Sequence, residues 1–150
     1  MNIIFSEETM PSEAIVNNLT EAANLCVLSE DIDSERVEIS VSFVGEEEIY
    51  DLNKHFRHVD HVTDVLSFPQ YNCIDELPDE GIICLGDVVI CSEQALIQAE
   101  ELGHSPEREI IYLFVHSMFH LMGYDHMDDE EKVDMREKEE KIMSILGIER

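Results

Sequence analysis

The 150-residue chain has no tryptophan and only nine lysines and arginines, against 35 aspartates and glutamates. Its formal net charge is −26. No lysine or arginine precedes Arg36, and none lies between Arg57 and Arg108. A surface so poor in cations repels a polyanion at long range, so composition alone argues against a nucleic-acid partner. Cysteine is also sparse: Cys26, Cys73, Cys84 and Cys91 form no C-x-x-C pair, which excludes a zinc knuckle and a thioredoxin-type motif. Cys26, Cys84 and Cys91 sit in apolar runs and read as small buried hydrophobes, and Cys73 lies in a loop. Reduced thiols and a cytoplasmic location are the expectation. No apolar run approaches 18 residues, which excludes a membrane-spanning helix. The first ten residues, MNIIFSEETM, lack the basic and apolar regions of a secretory signal. There is no internal repeat, low-complexity tract or linker.

What is present is an ordinary globular composition, 44% hydrophobic and 29% charged. The length predicts one domain, residues 1–150, that buries about 68–70% of its unfolded surface. Residues 2–6 read as a strand. Pro11 suits the first turn of a helix running to about Leu28, with Ile15, Leu19, Ala22 and Cys26 at helical spacing. Residues 36–43 alternate apolar and polar, the signature of a half-buried strand. Gly45 opens a second helix with an acidic first turn. The stretch TDVLSF reads as a strand closed by Pro69, followed by an irregular loop over 70–81. The run IICLGDVVIC reads as a buried strand. Gly86 and Asp87 at its centre predict a bulge or a place where backbone approaches a ligand closely.

Ser92 is the expected N-cap of the next helix and Gly103 its terminator. Ser105 and Pro106 then restart the chain as N-cap and first residue of a helix that is apolar on nearly every side, hence central and buried. Asp128 and Glu131 stand in capping-box spacing before a last helix, whose charge-dense first half reads as a solvated face. Strands come mostly early and helices mostly late. The fold class is therefore α+β: a single domain with a small mixed sheet and helices packed on it.

The central helix carries the chemistry. His116 and His120 are four residues apart, so their Cβ atoms lie roughly 5–6 Å apart on one face. Gly123 lets the chain turn, which brings His126 back toward the same point. Three imidazoles around one ion leave a fourth position open, the layout of a catalytic zinc; copper, nickel and iron suit the same donors. The spacing matches the metzincin protease pattern H-E-x-x-H-x-x-G-x-x-H, except that Ser117 stands where the general-base glutamate belongs. A serine hydroxyl cannot replace that base. Asp64, Asp87 and Asp125 are candidates to orient the ligand histidines, or are turn and cap residues. His55, His58 and His61 form a weaker set that crosses a helix end and reads as surface histidines.

Three blocks, LNKHFRHVDHVTDVLSFP, LGDVVIC and HSMFHLMGYDH, together resemble the YbeY family of bacterial endoribonucleases, from about Val37 to Leu146. The resemblance implies an α+β fold with zinc, or another divalent transition metal, held one per chain by His116, His120 and His126. It implies a single-strand-specific endoribonuclease acting in ribosomal RNA 3′-end maturation and ribosome quality control. Ribosomal RNA and the ribosome or its proteins would then be the partners. It also marks Arg57 as the phosphate-binding or catalytic residue, a role that suits the guanidinium fork. Residues 58–62, His-Val-Asp-His-Val, depart from the small and basic residues usual after that arginine. Two other readings stand beside the nuclease: a non-catalytic, metal-stabilised ribosome-assembly factor, which suits the acidic surface, and a zinc peptidase using another carboxylate as base.

Overall fold

The structure is a computed structural model and describes residues 1–6, 10–125 and 127–148. Four strands, β1 (Asn2–Phe5), β2 (Val37–Val44), β3 (Val65–Pro69) and β4 (Ile83–Cys91), form one mixed sheet in the order β1-β2-β4-β3. β1, β2 and β4 run parallel, and β3 runs antiparallel to β4 at the edge. The helices are α1 (Glu13–Ser29), α2 (Glu46–Arg57), α3 (Ser92–Leu102), α4 (Pro106–Leu121) and α5 (Asp129–Ile145). The α+β class and single domain read from the sequence are thus what the chain forms. Among the described residues, no helix is long and apolar enough to cross a membrane.

The sheet divides the core in two. Along β2 the residues alternate buried and half-buried, so Val37, Ile39, Val41 and Phe43 all face one way. They join Val88 and Ile90 of β4 and the apolar faces of α1, α4 and α5 in the main core. On the opposite face α2 covers a smaller cluster of Ile49, Leu66, Val89 and Cys91. Within β3, Ser67 points to α4, whereas Leu66 packs with α2 and Phe68 meets Phe56 of that helix. Helices α2 and α4 therefore lie on opposite faces of the sheet.

The Gly86 expectation resolves as a bulge. Glu38 pairs with Cys84, but Ile39 pairs with Gly86, leaving Leu85 as the extra residue. Gly86 has φ +139°, and a Cβ there would collide with the Phe68 carbonyl oxygen. The close approach is to neighbouring backbone. Other details differ from expectation. Ser12 is the N-cap of α1, accepting a hydrogen bond from the Ile15 N–H, so Pro11 lies before the first turn instead of in it. Cys91 occupies the N-cap position of α3, one residue before Ser92. Cys84 is exposed, because it lies on the sheet face that α2 leaves uncovered, while Cys26 and Cys91 are buried as expected.

Candidate functional site

Helix α4 is fixed at both ends. Ser105 Oγ accepts the Arg108 N–H at 3.2 Å, and Pro106 takes the first helical turn, where its missing N–H costs nothing. At the far end Gly123 adopts φ +99°, with Asn72 and Cys73 of the 70–81 loop so near that a Cβ would meet them at 3.0 Å. Between these ends Ile111, Leu113, Phe114, Val115, Met118 and Phe119 are buried. The helix is rigidly held, and it presents His116 and His120 on one half-exposed flank.

The two imidazoles meet edge to face, their centroids 4.6 Å apart and their Nε2 atoms 3.1 Å apart. Each Nδ1 is tied elsewhere. His116 Nδ1 is 2.5 Å from Glu139 Oε2, and His120 Nδ1 donates to the Tyr124 carbonyl at 2.9 Å. With Nδ1 as donor in both rings, the two Nε2 lone pairs aim at a common point. Two imidazole nitrogens held about 2.0–2.1 Å from a tetrahedral ion would be about 3.3–3.4 Å apart, close to the observed separation. The gap accepts one cation, or one proton shared as an imidazole–imidazole hydrogen bond. The donor set fits a transition metal. His126, the third expected ligand, lies outside the described residues.

Glu139 is the residue that sequence reasoning missed. It belongs to α5, just past the charge-dense first half that reads as a solvated face, and it is 3% exposed. Its carboxylate accepts the Tyr112 hydroxyl at 2.9 Å on one oxygen and faces His116 on the other. Burial, reinforced by the Glu139 charge, pushes the Tyr112 phenol well above its ordinary range. The signal was available: Met135, Glu139, Ile142 and Met143 share one face at helical spacing, so the glutamate sits inside an apolar stripe. A buried carboxylate needs partners, and here they are a histidine and a tyrosine.

The turn that follows α4 is clamped as well. Tyr124 donates its hydroxyl to Glu30 Oε1 at 2.7 Å, Lys138 Nζ lies 3.0 Å from the same oxygen, and its ammonium sits 5.1 Å from the Tyr124 ring centroid. Three elements, α1, α5 and the 122–125 turn, are joined there. Burial and the Glu30 hydrogen bond raise the Tyr124 phenol, and the Glu30 hydrogen bond raises the Lys138 ammonium. Because Tyr124 also supplies the carbonyl that orients His120, the clamp positions that imidazole.

The remaining candidates are dispersed. Arg57 is exposed as the last residue of α2, a helix on the sheet face opposite α4. Asp64 caps local structure, accepting from the Val65 N–H and Gln98, rather than orienting a histidine. Asp87 is exposed on β4. His55, His58 and His61 are all exposed, and His58 terminates α2 in the left-handed conformation. Ser117 is fully buried with its hydroxyl 2.5 Å from that of Ser67, a tie between helix and sheet.

Fold and site together define an α+β domain whose central helix offers a convergent, acceptor-anchored imidazole pair. The chain belongs to the endoribonuclease YbeY family: the family's sequence model, described as Endoribonuclease YbeY, matches residues 2–147. The chain is 48% identical over 159 aligned positions to the Endoribonuclease YbeY of Caldanaerobacter subterraneus subsp. tengcongensis, with 100% of both chains covered. It is 43% identical to the protein of that name from Finegoldia magna, covering 95% of this chain and 90% of the relative. A solution structure of a Thermotoga maritima protein superposes with a TM-score of 0.65 at 30% identity, covering 97% of this chain and 89% of the other.

Proposed function

We propose that the chain is a metal-dependent endoribonuclease that cuts single-stranded RNA, with His116, His120 and His126 as the ligands of one zinc or similar divalent ion. The observation that carries this reading is the 3.1 Å approach of two Nε2 atoms whose Nδ1 partners are already engaged by Glu139 and Tyr124. Such an ion, when bound, polarises a phosphoryl oxygen and lowers the pKa of bound water. Glu139 and the Tyr124 carbonyl hold the ring orientations. Arg57, on its exposed helix end, can swing a planar fork onto two phosphate oxygens. The cellular role that fits is maturation of ribosomal RNA 3′ ends and ribosome quality control in the cytoplasm. A chain of net charge −26 gains little from electrostatic steering, so the ribosome or its proteins supply much of the affinity. Against the peptidase reading, position 117, where zinc proteases carry their general-base glutamate, is a buried serine bonded to Ser67.

The same acidic surface favours a second reading, a metal-stabilised assembly factor without catalysis. Labelled single-stranded and duplex RNA, incubated with metal-assayed wild type and with His120→Ala purified identically, separates the two. Cleavage of the single strand by the wild type alone is expected. Equal failure of both proteins, with metal present in the wild type, refutes catalysis. Unfolding of the wild type on chelation would then point to the structural role.

A further inference from the structure

Three of the chain's nine cations converge outside the histidine site. Arg108 of α4 and Arg136 and Lys141 of α5 line a cavity of about 880 Å³ between α3, α4 and α5. Arg108 Nε is buried there without a hydrogen-bond partner among the described residues. An unsatisfied guanidinium N–H is destabilising unless an acceptor completes it, and the acceptor that best fits an arginine fork is a phosphate. Neither Arg108, Arg136 nor Lys141 appears in the ion pairs of the described residues, His116–Glu139 and Lys138–Glu30.

We propose that this cavity is a nucleotide subsite, which takes one phosphate-bearing nucleotide of the RNA strand next to the bond being cut. The proposal rests on the endoribonuclease reading and extends it. A bare anion does not suit the lining, because Asp64, Glu109, Glu137 and Glu140 also face the cavity. A nucleotide does suit it: its ribose hydroxyls and base N–H groups donate to carboxylates while its phosphate accepts from the cations. Tyr112 offers a ring for the base to stack on, and Leu102, Leu113 and Met143 offer apolar wall. The volume is that of a small-ligand site. Arg108, Tyr112 and His116 follow one another at four-residue spacing on α4, about 6 Å of rise per step. Tyr112 is shared, lining the cavity and bonding the same Glu139 that holds His116. A strand seated in the cavity therefore continues along α4 toward the paired histidines.

The test is calorimetric titration of the whole protein with adenosine 5′-monophosphate, adenosine and inorganic phosphate, repeated with Arg108→Gln, Lys141→Gln and His120→Ala after each variant's melting curve is shown to be cooperative. The monophosphate should bind more tightly than adenosine or phosphate alone. Its affinity should fall at least roughly tenfold in Arg108→Gln and fall also in the surface variant Lys141→Gln, but stay within threefold in His120→Ala. In single-stranded RNA cleavage, kcat/KM of Arg108→Gln should drop by a similar factor, carried by KM. No monophosphate binding to wild type, or equal binding by Arg108→Gln, overturns the subsite even if RNA is cut normally. Arg108-dependent nucleotide binding by a wild-type protein that cuts no RNA would instead overturn the nuclease reading and leave the cavity as a nucleotide site.

Discussion

Replacing Glu139 by glutamine changes one charge and almost no volume at the point where α5 supports the histidine pair. The wild-type carboxylate accepts from both Tyr112 and His116. A glutamine can keep both contacts, its oxygen accepting the His116 Nδ1–H and its amide donating to the Tyr112 oxygen. The fold should survive. What is lost is the charge-assisted part of the His116 bond, in a pair where hydrogen bonds to charged groups are worth about 1.5–3 kcal/mol. An imidazole backed by a neutral amide is a poorer metal donor, and loss of such a supporting partner typically weakens metal binding about 10–100-fold. That is about 1.4–2.7 kcal/mol of binding free energy. Competition against a chromophoric zinc chelator measures it directly. Tyr112→Phe is the control: it removes the other hydrogen bond and leaves the His116 contact, so affinity should stay within about threefold. Zinc binding by Glu139→Gln within threefold of wild type, or an equal loss in Tyr112→Phe, would refute the assignment of Glu139 as the group that positions His116.

Gly86→Ala should cost about 3 kcal/mol or more in urea denaturation, since the new Cβ meets the Phe68 carbonyl and φ is +139°; a loss under about 1 kcal/mol would contradict the bulge geometry. Lys138→Met should cost about 1 kcal/mol or less at neutral pH, because the Lys138–Glu30 pair is only partly buried. The lysine is held above its ordinary value of 10.5 by Glu30, so its contribution is complete below that pH and is lost as pH rises through the folded value. The difference between wild type and Lys138→Met should therefore shrink at strongly alkaline pH, and a difference that grew there would be inconsistent with the clamp.

The parts of this molecule that were legible in the sequence are those fixed by local chemistry. The alternation of residues 36–43, the Ser105–Pro106 start of α4, the Gly103 stop of α3 and the Asp128 cap, which accepts the Glu131 N–H at 2.8 Å, are all short-range signals. The His116–His120 pairing is legible for the same reason, as a four-residue helical spacing. What escaped depends on how distant elements pack. Glu139 reads as one more acid in a charged helix until α5 is laid against α4, and the Tyr124–Glu30–Lys138 clamp joins residues from three elements. Arg57 shows the converse. Its block of sequence marks it, but the sheet stands between α2 and α4, and nothing in local spacing reports that separation.

The claim beneath this account is that the paired imidazoles and His126 bind one metal ion through nitrogen. X-ray absorption at the zinc edge, on protein purified without added metal chelator and then loaded to saturation, tests that claim most directly. The account predicts one tightly held ion per chain with a nitrogen and oxygen shell at about 2.0–2.1 Å and imidazole scattering, abolished in His120→Ala. A sulfur shell at about 2.3 Å, pointing to the cysteines, would contradict it, as would tight binding that survives His120→Ala unchanged.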